Sequence, residues 1–229
     1  MPFYQKLNNT FTTKYMKILN LYSGIGGNRK LWGDEHEITA VEFNEEIAMI
    51  YKDYFPNDKM VIADAHEFLL KNYMNYDFIW SSPPCPTHSR MRFTCTKQEQ
   101  KTRGKLDIKY VDMKLYQEII LLDKYFEGKW VVENVIPYYQ PLIPAKKMGR
   151  HLVWSNFNLG NFNKEKVSLR GNSMAILQEQ RGFDLSKFKI KHRKDTILLN
   201  CVDSELSKYI LECAMNILQN KNSKQASLF

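Results

Sequence analysis

The sequence predicts an α/β protein built on a doubly wound, mostly parallel sheet. Short apolar runs alternate with helical stretches of crossover length, and a glycine cluster follows the first run. At 229 residues the chain can bury one substantial core. The first strand is read over 16–22, running directly into Ser23-Gly24-Ile25-Gly26-Gly27. A second strand covers 37–41, followed by a helix over 44–55 that ends at Pro56. Residues 60–62 form a short third strand and 64–70 a helix. The fourth strand, 76–80, is an apolar run cut off by serines and prolines. A polar stretch then leads to an amphipathic helix over 110–126 and a fifth strand over 129–133, ending in Asn134.

Ligands of such sheets gather at the carboxyl ends of the strands. The chemically unusual residues of this chain all fall there. The glycines follow strand one, Glu42 ends strand two, Asp64 follows strand three, Cys85 follows strand four and Glu133 ends strand five. Cys85 sits in Ser82-Pro83-Pro84-Cys85, where two prolines fix φ at successive positions and leave the thiol on a stiff loop. A nucleophile gains from such placement, although a cysteine taken alone reads as a small core residue. Gly24, Gly26 and Gly27 allow a tight turn and a close backbone approach without completing a dinucleotide fingerprint. Glu42 stands where an acid commonly receives ribose hydroxyls. Asp64 reads as a helix cap or as an acceptor for an adenine amine. No P-loop lysine follows the glycines, which argues against triphosphate hydrolysis.

The formal net charge of +8 suits a polyanionic partner such as nucleic acid. Four cysteines, Cys85, Cys95, Cys201 and Cys213, lack paired metal-ligand spacing, so no metal is expected. The polar start over 1–14 lacks a secretion signal, and no apolar run reaches membrane-spanning length. A cytoplasmic protein is expected.

Leu21-Tyr22-Ser23-Gly24-Ile25-Gly26-Gly27, Glu42, Asp64, Ser82-Pro83-Pro84-Cys85-Pro86 and Val132-Glu133-Asn134-Val135 together resemble the ordered motifs of DNA cytosine-5 methyltransferases. Leu199-Asn200-Cys201-Val202 before an amphipathic helix is similar to the family's last motif. Gly149-Arg150-His151-Leu152-Val153-Trp154-Ser155 is especially like the small phage-type members, whose setting is a bacterial or phage-infected cell.

The resemblance implies a Rossmann-like fold, S-adenosylmethionine as cofactor and S-adenosylhomocysteine as product. It implies that Cys85 attacks cytosine C6, that Glu133 contacts N3 and the exocyclic amine, and that Arg150 assists the ring. Tyr22 and Phe43 would flank the adenine, Glu42 would hold the ribose, and Asp64 with Ala65 would lie at the adenine amine. Ser23, the turn glycines and Pro83 would line the crevice, with Asn200 and Val202 near the methionine portion. Two departures are visible: Leu199 stands where the family usually has glycine, and Arg150 lacks the second arginine of a Gln-Arg-Arg pattern.

The stretch after the thiol carries Arg90, Arg92, Lys97, Lys101, Arg103 and Lys105 against few acids, as a loop that follows a phosphate backbone would. With His88 it is expected to contact double-stranded DNA carrying a flipped cytosine. Residues 1–157 are read as the catalytic and cofactor-binding domain and 158–195 as a reduced target-recognition lobe. Residues 196–219 are read as the returning motif and helix, and 220–229 as a flexible tail. The tail residues Gln225, Leu228 and Phe229 resemble the peptide by which bacterial proteins dock on the sliding clamp. Alternatives are a tRNA cytosine-5 methyltransferase, though the Cys-Phe-Thr tripeptide typical of it is absent, and a catalytically silent DNA-binding homologue. An adenine amino-methyltransferase would carry an aromatic residue where Cys85 stands.

Overall fold

The computed structural model describes residues 15–90, 110–163 and 171–216. Seven strands form one sheet in the order β3-β2-β1-β4-β5-β7-β6. They are β1 Lys17–Leu21, β2 Glu37–Glu42, β3 Lys59–Ile62, β4 Phe78–Ser81, β5 Lys129–Val135, β6 Lys146–Met148 and β7 His151–Ser155. The helices are α1 Glu45–Tyr54, α2 Ala65–Asn72, α3 Lys114–Tyr125, α4 Met174–Arg181, α5 Lys194–Asn200 and α6 Ser204–Ala214, with a 3-10 turn at Arg29–Leu31.

The first five strands pair in parallel, so their carboxyl ends share one edge. Strand alternation divides the core between the two faces. Ile18, Phe78, Trp80, Val131 and Val153 pack under α6, while Leu19, Leu21, Ile79, Val132 and Trp154 pack under α2 and α3. Both faces are covered, which is why these strands read as continuous apolar runs.

Three expectations shift. The helix read from Tyr110 begins at Lys114, because the Asp112 carboxylate turns the chain by accepting from Lys114 N at 3.0 Å. Strand five runs on to Val135, since β7 pairs with it antiparallel from Val131↔Ser155 to Val135↔His151. The β6–β7 hairpin itself falls in the stretch read only as a motif, and it turns at Gly149, whose φ is 61°.

The segment read as a recognition lobe, 158–195, contributes Leu177, Phe183 and Leu185 to a cluster that includes the start of the returning segment. Leu177, Phe183, Leu185, Ile197 and Leu198 share a core with Ile25 and Ile50 of α1. The basic run that follows is paired with α1: Lys187 Nζ lies 2.6 Å from Asp53 Oδ2, and His192 Nδ1 lies 2.9 Å from Glu46 Oε2. Its charges are thus partly spent on the domain's own acids. The tail residues Gln225, Leu228 and Phe229, and the loop residues Arg92, Lys97, Lys101, Arg103 and Lys105, lie outside the described residues.

A buried charge cluster fixes the 3-10 turn to the start of β3. Arg29 donates through Nε and Nη2 to both oxygens of Asp58, at 2.8 and 3.1 Å, and Tyr51 Oη donates to Asp58 at 2.7 Å. Both side chains of the ion pair are 4% exposed. Arg29→Ala therefore leaves Asp58 buried and uncompensated. The expected loss is about 3–5 kcal/mol, read as a lower denaturant midpoint at unchanged slope.

Candidate active site

Cys85 and Glu133 are set by adjacent parallel strands. After β4 the chain passes through Ser82, whose hydroxyl accepts from Trp80 Nε1 at 2.8 Å and donates to Glu133 Oε2 at 3.0 Å. Asn134 Nδ2 donates to the Pro83 carbonyl at 2.9 Å, which locks the proline loop to β5 from its other side. The Cys85 carbonyl accepts from both His88 N and Ser89 N at 3.0 Å. With prolines at 83, 84 and 86, this leaves the thiol little freedom to recoil.

Glu133 is 5% exposed. Its second oxygen, Oε1, lies 2.9 Å from His151 Nδ1, a close approach outside well-aligned hydrogen-bond geometry. The register explains it. His151 pairs with Val135, so it is the diagonal neighbour of Glu133 on the same sheet face. Burial alone would push the Glu133 carboxyl up, but His151, the Ser82 hydroxyl and the charge of Arg150 outweigh it and hold the group below the ordinary carboxylate range. The same carboxylate acts on the thiol. Burial raises the Cys85 pKa, the Glu133 charge raises it further, and Arg150 pulls it partly back. A thiol beside a held carboxylate is thus protonated at rest.

Arg150 is exposed and its Nη2 donates to the Leu199 carbonyl at 3.3 Å. Arg150, which the resemblance reads as assisting the ring, lies where its charge reaches both Cys85 and Glu133. His88 is a correction. It is 1% exposed and its Nδ1 lies 2.6 Å from Tyr139 Oη, so it braces the loop from within instead of facing a nucleic acid. Arg90 is exposed, with Nε donating to the Pro137 carbonyl at 3.0 Å.

The crevice at the ends of β1–β3 has the donor set of a nucleoside site. Glu42 accepts from Gly24 N at 3.0 Å through Oε2 and from Asn44 N at 2.9 Å through Oε1. About two of its roughly four lone-pair positions stay free for hydroxyls. Phe43 is 75% exposed beside it, an apolar ring with no protein cover. Gly24 has φ +55°, and a Cβ there would meet nothing within 4 Å, so the turn opens onto free space. Gly27 is needed for the opposite reason, since a Cβ would stand 2.9 Å from Cys201 Cβ and from the Val202 carbonyl oxygen. The returning segment therefore closes on the turn, with Val202 half-buried and Asn200 exposed.

Other crevice expectations are altered. Asp64 caps α2, its Oδ1 accepting from His66 N at 2.9 Å and Glu67 N at 3.2 Å, and its Oδ2 lies 3.4 Å from Lys114 Nζ. The capping reading holds, and an adenine amine would share an already engaged carboxylate. Ala65 and Ser23 are buried, so Ala65 serves the core beneath α2. Pro83 is buried too, with its carbonyl taken by Asn134. The residues present fit the nucleoside of S-adenosylmethionine through Glu42, Phe43 and the open glycine turn. Ser82, Asn134 and His151 were missed as site residues. Ser82 and Asn134 lay inside quoted motifs, whereas His151 depends on a cross-strand register that no spacing displays.

Among the described residues no group of His, Cys, Asp or Glu could hold a metal ion, and no helix is long and apolar enough to cross a membrane.

Residues 16–121 match the family model of C-5 cytosine-specific DNA methylases. The tRNA (cytosine(38)-C(5))-methyltransferase of Spodoptera frugiperda is 35% identical over 81 residues, 32% of this chain and 24% of that protein. This chain thus matches about a quarter of the length of that curated relative. The solved structure of the Entamoeba histolytica methyltransferase EhMeth aligns over 90% of this chain and 99% of its own, at 12% identity and a TM-score of 0.54. That likeness concerns the fold alone. Over residues 16–121 the chain is thus similar to C-5 cytosine-specific DNA methylases.

Proposed function

We propose that this protein is an S-adenosylmethionine-dependent DNA (cytosine-5-)-methyltransferase. The observation that carries the reading is the pairing of Cys85, on a loop stiffened by three prolines, with the buried Glu133 that Ser82 and His151 hold beside it. C5 of cytosine is a weak nucleophile, so the ring must first receive electron density. Addition of the Cys85 thiolate to C6 forms an S–C bond and pushes an electron pair toward C5, while Glu133 stabilises the charge that develops at N3 and the exocyclic amine. S-adenosylmethionine, when bound, supplies an electrophilic methyl group. C5 takes that methyl, a base removes the C5 proton, and the returning electron pair expels the thiolate from C6. The resting thiol and the ionised Glu133 suit this order, because the pocket waits for substrate before it makes a thiolate.

A base inside a duplex cannot be attacked at C6, so duplex DNA must present an extruded cytosine. The net charge of +8 supports a polyanionic substrate. A second reading, transfer to tRNA, is favoured by the Spodoptera relative, whose name specifies tRNA. Transfer of labelled methyl from S-adenosylmethionine to duplex DNA and to tRNA, compared side by side, tests both. We expect label in DNA; label in tRNA alone would establish the second reading, and label in neither would remove the enzymatic one.

A further inference from the structure

Glu118 lies on α3, outside every role assigned above, yet it is 1% exposed and three elements converge on it. Tyr22 Oη donates to Oε1 at 2.6 Å from the turn after β1, Ser81 Oγ donates to Oε2 at 2.6 Å from the end of β4, and His66 Nδ1 lies 3.0 Å from Oε1 on α2. Replacing a buried carboxylate by apolar packing is often neutral or stabilising, so one that persists invites a reason beyond stability.

The geometry around Tyr22 supplies that reason. Tyr22 has φ +54°, one of two non-glycine residues among those described with positive φ. Such a conformation persists where the surroundings over-determine it, and it concentrates at functional sites. The turn is pinned on the main-chain side by Ser23 N to the Val41 carbonyl at 3.0 Å and by Gly24 N to Glu42 at 3.0 Å. On the side-chain side it is pinned by Glu118. Burial and the Glu118 charge keep the Tyr22 phenol protonated, so its donor direction is fixed.

We propose that Glu118 is a positioning residue for the nucleoside end of the crevice, clamping Tyr22 beside the adenine position and tying it to Ser81, from which the Cys85 loop departs. This rests on reading the crevice as the S-adenosylmethionine site. Removing the Tyr22 hydroxyl or the Glu118 charge frees the ring from the same anchor. Either change weakens nucleoside binding while leaving Glu42 and the glycine turn in place.

The test is calorimetric binding of S-adenosylhomocysteine to the full chain, with the thermal midpoint of the protein alone, for wild type, Tyr22→Phe, Glu118→Gln and the double variant. Each single change is expected to weaken binding by about 5- to 10-fold. The double variant should be no weaker than the weaker single one, because both remove one shared bond. Wild-type affinity in Tyr22→Phe overturns the positioning role, as does a lowered thermal midpoint with affinity unchanged. Fully additive losses overturn it as well, since the two groups would then act separately. A wild type that fails to bind overturns the reading of the crevice, and the proposal with it. Should Glu118→Gln not fold, Tyr22→Phe decides alone, because it deletes a single hydroxyl.

Discussion

Cys85→Ser abolishes both methyl transfer and the covalent adduct with DNA containing 5-fluorocytosine. In the wild type, fluorine at C5 cannot leave as a proton would, so the chain stays bonded to C6 through Cys85 and the complex survives denaturation. A serine hydroxyl in the same place is far less nucleophilic, and no thiolate forms. The expected fall in rate is on the order of 10⁴-fold or more, since removing a nucleophile removes the pathway and not a contact. Binding of S-adenosylhomocysteine should survive, because the crevice residues Gly24, Glu42 and Phe43 lie at the ends of β1 and β2, away from the β4 loop that carries Cys85. An adduct formed by Cys85→Ser would place the nucleophile elsewhere. Absence of any wild-type adduct, on DNA that the protein does methylate, would remove the covalent mechanism.

Glu133→Gln is expected to move two observables in opposite directions. Methyl transfer falls by about 10²–10³-fold, the usual consequence of deleting one preorganised group that stabilises developing charge. Alkylation of Cys85 by iodoacetamide becomes faster at neutral pH in the same variant. The reason is electrostatic: the Glu133 carboxylate raises the Cys85 pKa beyond what burial does, so its loss lets the thiol ionise at lower pH. Arg150, which already pulls the thiol down, is then no longer opposed by the Glu133 charge. The pH profile of alkylation should shift to lower pH in the variant, and a profile unchanged from wild type would show that Glu133 does not govern the thiol. Stability follows the same carboxyl. Its pKa lies below the unfolded value, so it contributes to stability above the ordinary carboxylate range and the contribution disappears as pH falls through the lowered value. Glu133→Gln should flatten that part of the stability curve.

Much of this arrangement is legible along the chain. The strand runs over 16–22, 37–41 and 76–80 are apolar because both faces of the parallel sheet are covered, and burial of that kind leaves its mark in composition. Parallel pairing then obliges Gly24, Glu42, Asp64, Cys85 and Glu133 to share one edge, so the site could be located before any contact was known. Local signals do not show what long-range packing decides. The stretch read as a recognition lobe carries enough Leu, Ile and Phe to form a core, but its partner, α1, lies over 100 residues earlier. His88 read as a surface residue because its neighbours are polar, whereas Tyr139, 51 residues away, covers it.

The sequence by itself determined the fold class and brought a loop thiol, a strand-end carboxylate and a glycine turn with its acid to one edge of the sheet. Residue type and strand-end position suffice for these, since each follows from local chemistry and from the direction in which parallel strands run. Only the tertiary structure decided which groups tune them: Ser82 and His151 on Glu133, Glu118 on Tyr22 and Ser81, Asn134 on the proline loop. These contacts depend on the register between β5 and β7 and on the rotation of α3 against the sheet. Both are set by the packing of the whole core and not by any short stretch of chain.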